Sequence, residues 1–222
     1  MTTVTRYTGV TATGTGPRLA FLKNLIYNPR ALTDAGLNYS AGTGGAAVKS
    51  RPTTGGPLPE VPSFMRVTWN TAPTAIGSLQ LYNGLVGANL ITPGKTYIAR
   101  AYVRASFAAT IQPKVGWWNG ASYVGGANGT GVLLAANTWT AVSMEATAPA
   151  SGIDRVQMNT DLTSTSALPA VGSTVDATAW FVFEKPAGST VETTTYGDGD
   201  MTGWTWLGTA HASASQGYGA IS

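Results

Sequence analysis

Residues 92–107, near the middle of the chain, constrain the fold more than any other part of the sequence. They open with Pro93-Gly94, a turn signal, because proline fixes φ and glycine accepts positive φ. Small or apolar side chains then occupy the odd positions from 97 to 105. The even positions hold Ile98, Arg100, Tyr102 and Arg104. Since successive strand side chains point to opposite sheet faces, this alternation predicts a long central strand with an apolar face and a polar-aromatic face.

Short segments with strand patterns flank this stretch and are separated by turn signals such as Asn119-Gly120 and Asn128-Gly129. The predicted strands cover residues 63–70, 75–82, 95–107, 110–118, 131–134, 138–146, 153–161 and 174–184. Only 10% of the residues are charged and 28 are glycine, a composition typical of many short strands and turns. The central strand also needs neighbours on both edges and a second sheet over its apolar face. The predicted fold class is therefore all-β, a jelly-roll β-sandwich.

The last predicted strand, 174–184, repeats the alternation of the central one. If it is regular, its odd-numbered side chains from 175 to 183 share one face. We therefore expect Phe181 and Phe183 to be buried between the two sheets, together with Val103.

Three segments are predicted along the chain. Residues 1–23 form an extended N-terminal arm, rich in threonine and glycine, which cannot bury a core of its own. Residues 24–190 form the jelly roll, with one long irregular loop over residues 40–60, and residues 191–222 form a C-terminal β-hairpin motif. We expect residues 1–20 of the arm to pack on a neighbouring subunit and not on their own domain.

Charge is distributed unevenly, although the formal net charge is only +3. Residues 1–51 carry six cations against Asp34, and residues 176–222 carry five carboxylates against Lys185. This asymmetry is either chance or the sign of a basic N-terminal region that docks on an acidic C-terminal region, in the same chain or on a neighbouring subunit. The net charge is too small to predict a nucleic-acid partner.

Several chemistries are excluded or disfavoured by composition. The chain has no cysteine, which excludes disulfides and cysteine-ligated metals. Its polar first residues predict no signal peptide, and no apolar run is long enough for membrane insertion. The single histidine, His211, lies in a Gly/Ala/Ser-rich segment, and no two carboxylates have a spacing that pairs them across a cleft. We therefore expect no enzymatic activity and assign no catalytic residues.

The segment Tyr196-Gly197-Asp198-Gly199-Asp200 has the Asp-x-Asp spacing of oxygen-ligated calcium loops. It lacks the further ligands of an EF-hand loop, so it is interpreted as a plain turn. No metal ligands and no cofactor are assigned.

Four motifs resemble the carbohydrate-binding-module jelly rolls of the CBM4/9 type, over residues 24–188. They are Asn24-Leu25-Ile26-x-Asn28-Pro29, Pro93-Gly94-Lys95-Thr96-Tyr97, Asn137-Thr138-Trp139-Thr140, and Asp176 with Glu184 on the last strand. The resemblance implies a jelly-roll fold and is compatible with a structural calcium ion. The tail resembles a C-terminal signature of virion proteins, mostly minor tail proteins, of actinobacterial phages. It runs from Tyr196-x-Asp198-Gly199-Asp200 through Trp206-x-Gly208-Thr209-Ala210-His211 to Ser215, and Gly197 stands where an aromatic residue is usual.

Side chains with the outward parity of their strands are the candidates for a recognition surface, because sugar sites combine exposed rings with orienting polar groups. They are Arg66, Gln80, Tyr82, Arg100, Tyr102, Arg104, Trp118, Gln157 and Asn159. Trp118 belongs to this set if Trp117 faces the core, and Trp69, Trp139 and Trp180 are assigned to the core. The polar face is either an ordinary solvated or subunit-packed surface or the functional surface.

The sequence therefore predicts a non-enzymatic bacteriophage virion structural protein, a minor tail protein or a capsid decoration protein. Its expected location is the virion, and its expected partners are other virion proteins. Because virion proteins are commonly symmetric assemblies, a homo-oligomer is expected, and a trimer is our guess. The alternative is a glycan-binding module that attaches to the host cell wall, which an exposed aromatic strip on a sheet face would favour.

Overall fold

The computed structural model describes residues 18–34, 36–83, 90–165, 167–190 and 196–221, without the side chains of 77–79, 82–83 and 164–165. Within these ranges the chain forms fourteen strands and no helix. The strands are β1 (Arg18–Asn24), β2 (Leu37–Thr43), β3 (Ala46–Ser50), β4 (Met65–Thr71), β5 (Ala75–Asn83), β6 (Thr96–Ala105), β7 (Ala109–Asn119), β8 (Ser122–Asn128), β9 (Val132–Leu134), β10 (Thr140–Thr147), β11 (Arg155–Thr165), β12 (Thr174–Glu184), β13 (Trp204–Trp206) and β14 (Ser215–Ile221). The described ranges accordingly offer no helix able to cross a membrane.

The strands pair in three antiparallel sheets. The five-stranded sheet has the order β10-β6-β12-β4-β3, and the six-stranded sheet has the order β2-β5-β11-β7-β8 with β9 also paired to β7. The three-stranded sheet has the order β1-β14-β13. The prediction of an all-β jelly-roll sandwich is confirmed, with β6 as an interior strand between β10 and β12.

The main core lies between the five-stranded and six-stranded sheets. The odd-numbered side chains of β6, from Tyr97 to Ala105, are all buried in it, as the alternation predicts. The small alanines of β6 leave room for large rings: Trp69, Trp117 and Trp180 are fully buried in the same cluster. Large and small side chains on facing sheets interdigitate, which is how two flat sheets reach interior packing density.

A β-bulge in β12 makes the predicted position of two phenylalanines wrong. Ala179 has φ 52°, and the register between β12 and β6 shifts at this point. An extra residue reverses the parity of the strand beyond it. Trp180 therefore points into the main core, whereas Phe181 and Phe183 are buried on the opposite face, beneath the three-stranded sheet.

The three-stranded sheet closes a second apolar core over the outer face of β12. Its members are Leu22, Val61, Ile98, Ala179, Phe181, Phe183, Tyr196, Trp204 and Ile221. The strand β1 pairs with β14 along its whole length, from Arg18 opposite Ile221 to Asn24 opposite Ser215. Residues 18–20 thus pack on their own chain, against the expectation for the arm. Residues 1–17 lie outside the described ranges, and the segment boundaries stay a prediction.

The C-terminal motif contains the predicted hairpin, since β13 pairs with β14. Two glycines before the hairpin lie directly against the indole rings of β13. A Cβ at Gly197 would lie 2.0 Å from Trp204, and one at Gly199 would lie 2.4 Å from Trp206. Those distances leave no room for a side chain. Position 197 is therefore glycine, and not aromatic, because the ring of Trp204 occupies that space.

One buried ion pair joins the basic N-terminal region to the acidic C-terminal region. Arg30 donates from Nε (2.5 Å) and Nη2 (2.8 Å) to the carboxylate of Asp198, which is fully buried. The hydroxyl of Tyr196 also donates to Asp198. Burial, and then the Asp198 carboxylate, raises the pKa of Tyr196 well above its ordinary value. At this ion pair the charge asymmetry therefore reflects a contact within one chain. Asp198, in the predicted turn, is the ion-pair partner of Arg30.

The predicted loop over residues 40–60 is only partly irregular. It contains most of β2 and all of β3, which belong to different sheets and are joined by a turn with Gly42 and Gly44 at positive φ. The strand β8 was not predicted either. The strand β8 contains two adjacent glycines, which remove the side-chain pattern on which strand prediction depends. The strands β2 and β3 were missed because the many glycines and prolines of residues 40–60 are loop signals.

Candidate functional site

The candidate surface residues lie on two opposite sides of the sandwich and not on one face. Arg66, Arg100, Tyr102 and Arg104 lie on the outer face of the five-stranded sheet. Gln80, Trp118, Gln157 and Asn159 lie on the outer face of the six-stranded sheet. The expectation of a single continuous surface is wrong, because side-chain parity tells which residues point outward but not which sheet a strand joins.

Arg66 and Arg104 are held by one buried carboxylate. Arg66 donates to both oxygens of Asp176, at 2.8 and 2.9 Å, and Arg104 donates to Oδ2 at 2.9 and 2.7 Å. Asp176 is 1% exposed. These contacts use Nε and Nη2 of both arginines and fix the orientation of both guanidinium groups. This half of the candidate set is therefore part of the framework of the fold.

The irregular segment after β3 covers the same arginines. Trp139 donates from Nε1 to the carbonyl of Gly55 at 2.9 Å, and its ring centroid lies 4.5 Å from the guanidinium carbon of Arg104. Trp139 thus lies outside the main core, contrary to its assignment. Beside it, Arg100 stacks on Tyr102 at 5.4 Å and donates to the Tyr102 hydroxyl at 3.3 Å. Phe64, at the end of the same segment, has its ring centroid 5.2 Å from the guanidinium carbons of both Arg66 and Arg104. These cation–π contacts stabilise the packing of the segment on this sheet.

The other half of the set lines a groove of about 330 Å³ on the outer face of the six-stranded sheet. The groove crosses the strands from β2 to β8. Its lining consists of Ser40, Gln80, Lys114, Gly116, Trp118, Tyr123, Gln157 and Asn159. Polar side chains and two aromatic rings therefore share one concave surface, and its volume falls within the range of small-molecule sites.

Alternation along β7 and β11 places the groove residues. Val115 and Trp117 are buried in the main core, so Lys114, Gly116 and Trp118 face outward. The sequence prediction for Trp117 and Trp118 therefore agrees with the structure. Across the pair of strands, Gly116 stands opposite Gln157, and Lys114 stands opposite Asn159. The backbone of Tyr82 pairs with that of Asn159, but the side chain of Tyr82 lies outside the description.

Trp118 and Tyr123 form the aromatic end of the groove. Their ring centroids lie 5.3 Å apart with an interplanar angle of 72°, and Tyr123 is 55% exposed. The turn at Asn119-Gly120 brings Tyr123 opposite Trp118 in the β7–β8 hairpin. Sequence reasoning identified that turn but did not place Tyr123, and it missed Ser40 and Gly116 because neither carries a recognisable signal.

The charges around the groove offset one another. Asp161 accepts from Gln80 Nε2 at 3.0 Å, and its carboxylate lies 3.8 Å from the ammonium of Lys114. Burial raises the pKa of the Asp161 carboxyl, although Lys114 and the bond from Gln80 act in the opposite direction. The groove is therefore polar without an excess of either charge, which suits a neutral polar ligand better than an ion.

In the part of the chain that the structure describes, no three metal-ligating side chains lie close enough together to hold a metal ion. The carboxylates of the Asp-x-Asp segment are engaged elsewhere. Asp198 binds Arg30, and Asp200 accepts from Trp206 Nε1 at 3.0 Å.

No protein-family model matches the chain, and no curated protein sequence matches it. Its fold matches solved structures. The enzymatically active domain of bacteriophage CBA120 tailspike protein 4 matches with 10% identity and a TM-score of 0.52, over 73% of this chain and 21% of that chain. The arabinose-bound α-L-arabinofuranosidase MgGH51 matches with 15% identity and a TM-score of 0.51, over 73% of this chain and 26% of that chain. This chain thus spans about a quarter or less of either protein.

A carbohydrate-binding module is similar over nearly its whole length. The CBM22-1 xylan-binding domain of Paenibacillus barcinonensis Xyn10C matches with 9% identity and a TM-score of 0.47, over 75% of this chain and 95% of that chain. At such identities the likeness concerns the fold alone. The chain has a jelly-roll β-sandwich fold.

Proposed function

We propose that this chain is a non-enzymatic glycan-binding module and that the groove on the six-stranded sheet is its binding site. The observation that carries the proposal is the pair Trp118 and Tyr123 beside a row of amide side chains in one concave surface. Aromatic rings stack on the apolar faces of sugars, and amide groups bind hydroxyls in fixed directions. Both kinds of group are needed to bind a neutral sugar from water.

The composition of the groove supports binding without catalysis. None of the described residues that line it is acidic. Asp161, at its margin, is already bonded to Gln80 and lies near Lys114. Glycoside hydrolysis by the usual route requires two carboxyl groups on either side of the scissile bond. The proposed module therefore holds a glycan and leaves it intact.

Truncation of the aromatic end tests this proposal. Trp118→Ala and Tyr123→Ala should each weaken binding to the oligosaccharide that binds the parent best on a glycan array by at least tenfold, about 1.4 kcal/mol. Tyr218→Ala is the matched control, because Tyr218 is 65% exposed but lies on the three-stranded sheet. A parent protein that binds no glycan, or groove variants that bind like the parent, would contradict the proposal.

We further propose that the module belongs to a bacteriophage virion, on the tail or on the capsid, as part of a homo-oligomer for which a trimer is our guess. The supporting observation is an apolar patch on the outer face of the three-stranded sheet. Leu19, Phe21 and Tyr218 are 74%, 56% and 65% exposed there, and the two rings pack edge to face at 5.4 Å. Adjacent exposed apolar side chains on the edge strand β1 and its neighbour β14 are typical of a protein contact. The C-terminal resemblance to virion proteins supports the same role.

Polar substitution of that patch tests the assembly role. Phe21→Ser with Tyr218→Ser should leave the thermal midpoint nearly unchanged, since both side chains are exposed. The same double variant should shift the protein to a smaller species in light scattering and reduce its incorporation into particles. An unchanged molar mass together with normal incorporation would exclude this surface from assembly.

A further inference from the structure

The floor of the groove has a depression at Gly116, between Lys114 and Trp118 on the outward side of β7. The three atoms nearest to a Cβ built there are Trp118 Nε1 at 3.1 Å, Tyr123 Cε2 at 3.4 Å and Gln157 Oε1 at 3.9 Å. At these distances Trp118 and Tyr123 cover the point, so a small group of a ligand reaches it only when the ring of Tyr123 moves aside. It would meet an N–H donor, a carbonyl oxygen and the edge of an aromatic ring.

Two buried polar atoms of residues that line the groove have no hydrogen-bond partner among the described residues. They are the donor Trp118 Nε1 and the acceptor Asn159 Oδ1, on the adjacent strands β7 and β11. Asn159 is only 6% exposed. Native proteins seldom leave buried polar atoms unpaired, because each one lowers stability, so such atoms call for a bound partner or another role. One donor and one acceptor together require a ligand group that has both.

We propose, building on the glycan-binding function above, that the groove recognises a sugar carrying a 2-acetamido group. The acetamido carbonyl oxygen accepts from Trp118 Nε1, and its N–H donates to Asn159 Oδ1 or Gln157 Oε1. The methyl group fills the depression over Gly116 against the ring edge of Tyr123. A secondary amide supplies the donor, the acceptor and the apolar group that the three sides of the depression require.

Other substituents fit this point less well. A hydroxyl group can accept from Trp118 Nε1 and donate to Asn159 Oδ1, but it has no methyl group to fill the depression. A carboxylate or phosphate needs a cation, and the nearby cations have partners: Lys114 lies 3.8 Å from Asp161, and Arg155 lies 3.6 Å from Asp154. Binding an anion here would separate one of these pairs. A neutral amide avoids that loss.

Access to Trp118 Nε1 depends on Tyr123. The indole N–H is closed to solvent, and the ring of Tyr123 lies against both the indole and the depression. Tyr123 is 55% exposed and belongs to β8, an edge strand of the six-stranded sheet. Rotation of this ring away from the sheet opens the depression, and the ring then stacks on the bound sugar. Ligand binding should therefore change the indole N–H resonance of Trp118 more than that of any other tryptophan.

Titration calorimetry with chitotetraose and cellotetraose tests the inference, because these ligands share a β-1,4 backbone and differ at the 2-position of each sugar. The parent should bind chitotetraose at least tenfold more tightly. Gly116→Ala should remove this preference by filling the depression, and Trp118→Phe should reduce it while keeping an aromatic ring. Gly125→Ala is the matched control on β8, since a Cβ there meets nothing within 4 Å.

The outcomes separate this inference from the proposed function. Equal affinity for the two ligands, or binding of cellotetraose alone, would overturn the acetamido inference and leave the glycan-binding proposal standing. A preference for chitotetraose that persists in both Gly116→Ala and Trp118→Phe would also overturn it. Binding of no oligosaccharide would contradict both. Circular dichroism of each variant establishes that the fold is intact, and Trp118→Phe decides the result if Gly116→Ala does not fold.

Discussion

Phe181→Ala is expected to lower the free energy of unfolding by about 3–5 kcal/mol, the usual loss for a fully buried phenylalanine. Phe181 has no exposed surface and contacts three rings of the second core. Its ring centroid lies 4.5 Å from that of Phe183, 5.8 Å from that of Tyr196 and 6.0 Å from that of Trp204. A cavity at the centre of these rings cannot close by small shifts. Urea unfolding at equilibrium measures the change.

Phe21→Ala is the matched control, because Phe21 lies on β1 of the same three-stranded sheet with its ring directed outward. It should change stability by less than about 1 kcal/mol. If Phe181→Ala unfolds at the same urea concentration as the parent, the three-stranded sheet does not cover β12, and the second core is wrong. Equal losses in the two variants would contradict the assignment of inner and outer faces on β1.

Asp198→Asn is expected to destabilise the protein by a similar amount, about 3–5 kcal/mol, because it removes the buried carboxylate that pairs with Arg30 and leaves only the more distant Asp200, at 3.8 Å, as a counter-charge. The side chain of Arg30 is 12% exposed and that of Asp198 is not exposed at all. The substitution keeps the shape of the side chain, so the loss of stability results from the changed charge and donor placement and not from changed packing. Tyr196 and the backbone N–H of Asp200 donate to different oxygens of Asp198, and the amide of asparagine keeps only one oxygen, so one of these two donors loses its acceptor as well.

The surface pair of Asp34 with Arg51 provides the control. Its Nε–Oδ1 distance is 3.2 Å and the side chain of Asp34 is 65% exposed, so Asp34→Asn should leave the midpoint close to that of the parent. The double variant Arg30→Met with Asp198→Asn should regain part of the lost stability, since it removes the uncompensated charge. A single Asp198→Asn variant as stable as the parent would show that the two terminal regions are not joined by this pair.

Much of the fold can be predicted from residue patterns in the sequence. The alternation from Tyr97 to Ala105 predicts the central strand and its core face, and the repeated turn signals predict the sandwich. The parity of Phe181 and Phe183 was not predictable from alternation, because a single bulge residue, Ala179, reverses it. A signal was nevertheless present: the run from Ala179 to Phe183 is apolar on both faces, as in strands covered on both sides.

Only part of the candidate site was predicted, because local patterns give the face of a strand but not its neighbours in the sheet. Gln80, Trp118, Gln157 and Asn159 come together because their strands are neighbours in one sheet. Arg100 and Arg104 have the same outward parity but belong to the other sheet, and strand order is set by long-range pairing that no local pattern encodes. Gly116 contributes to the groove by lacking a side chain. Such a contribution becomes visible only when the surrounding atoms are known.

In our proposal the groove of the six-stranded sheet, and not the arginine-rich face of the five-stranded sheet, binds a glycan. A titration of the ¹⁵N-labelled protein with chitotetraose, followed by cellotetraose and xylotetraose, tests it most directly. We expect shift changes at the backbone amides of Ser40, Gly116, Tyr123 and Gln157 and at the Trp118 indole N–H. The resonances of Arg66, Arg100 and Arg104 should remain unchanged. Changes confined to the arginine-rich face, or no changes with any of the three ligands, would contradict it.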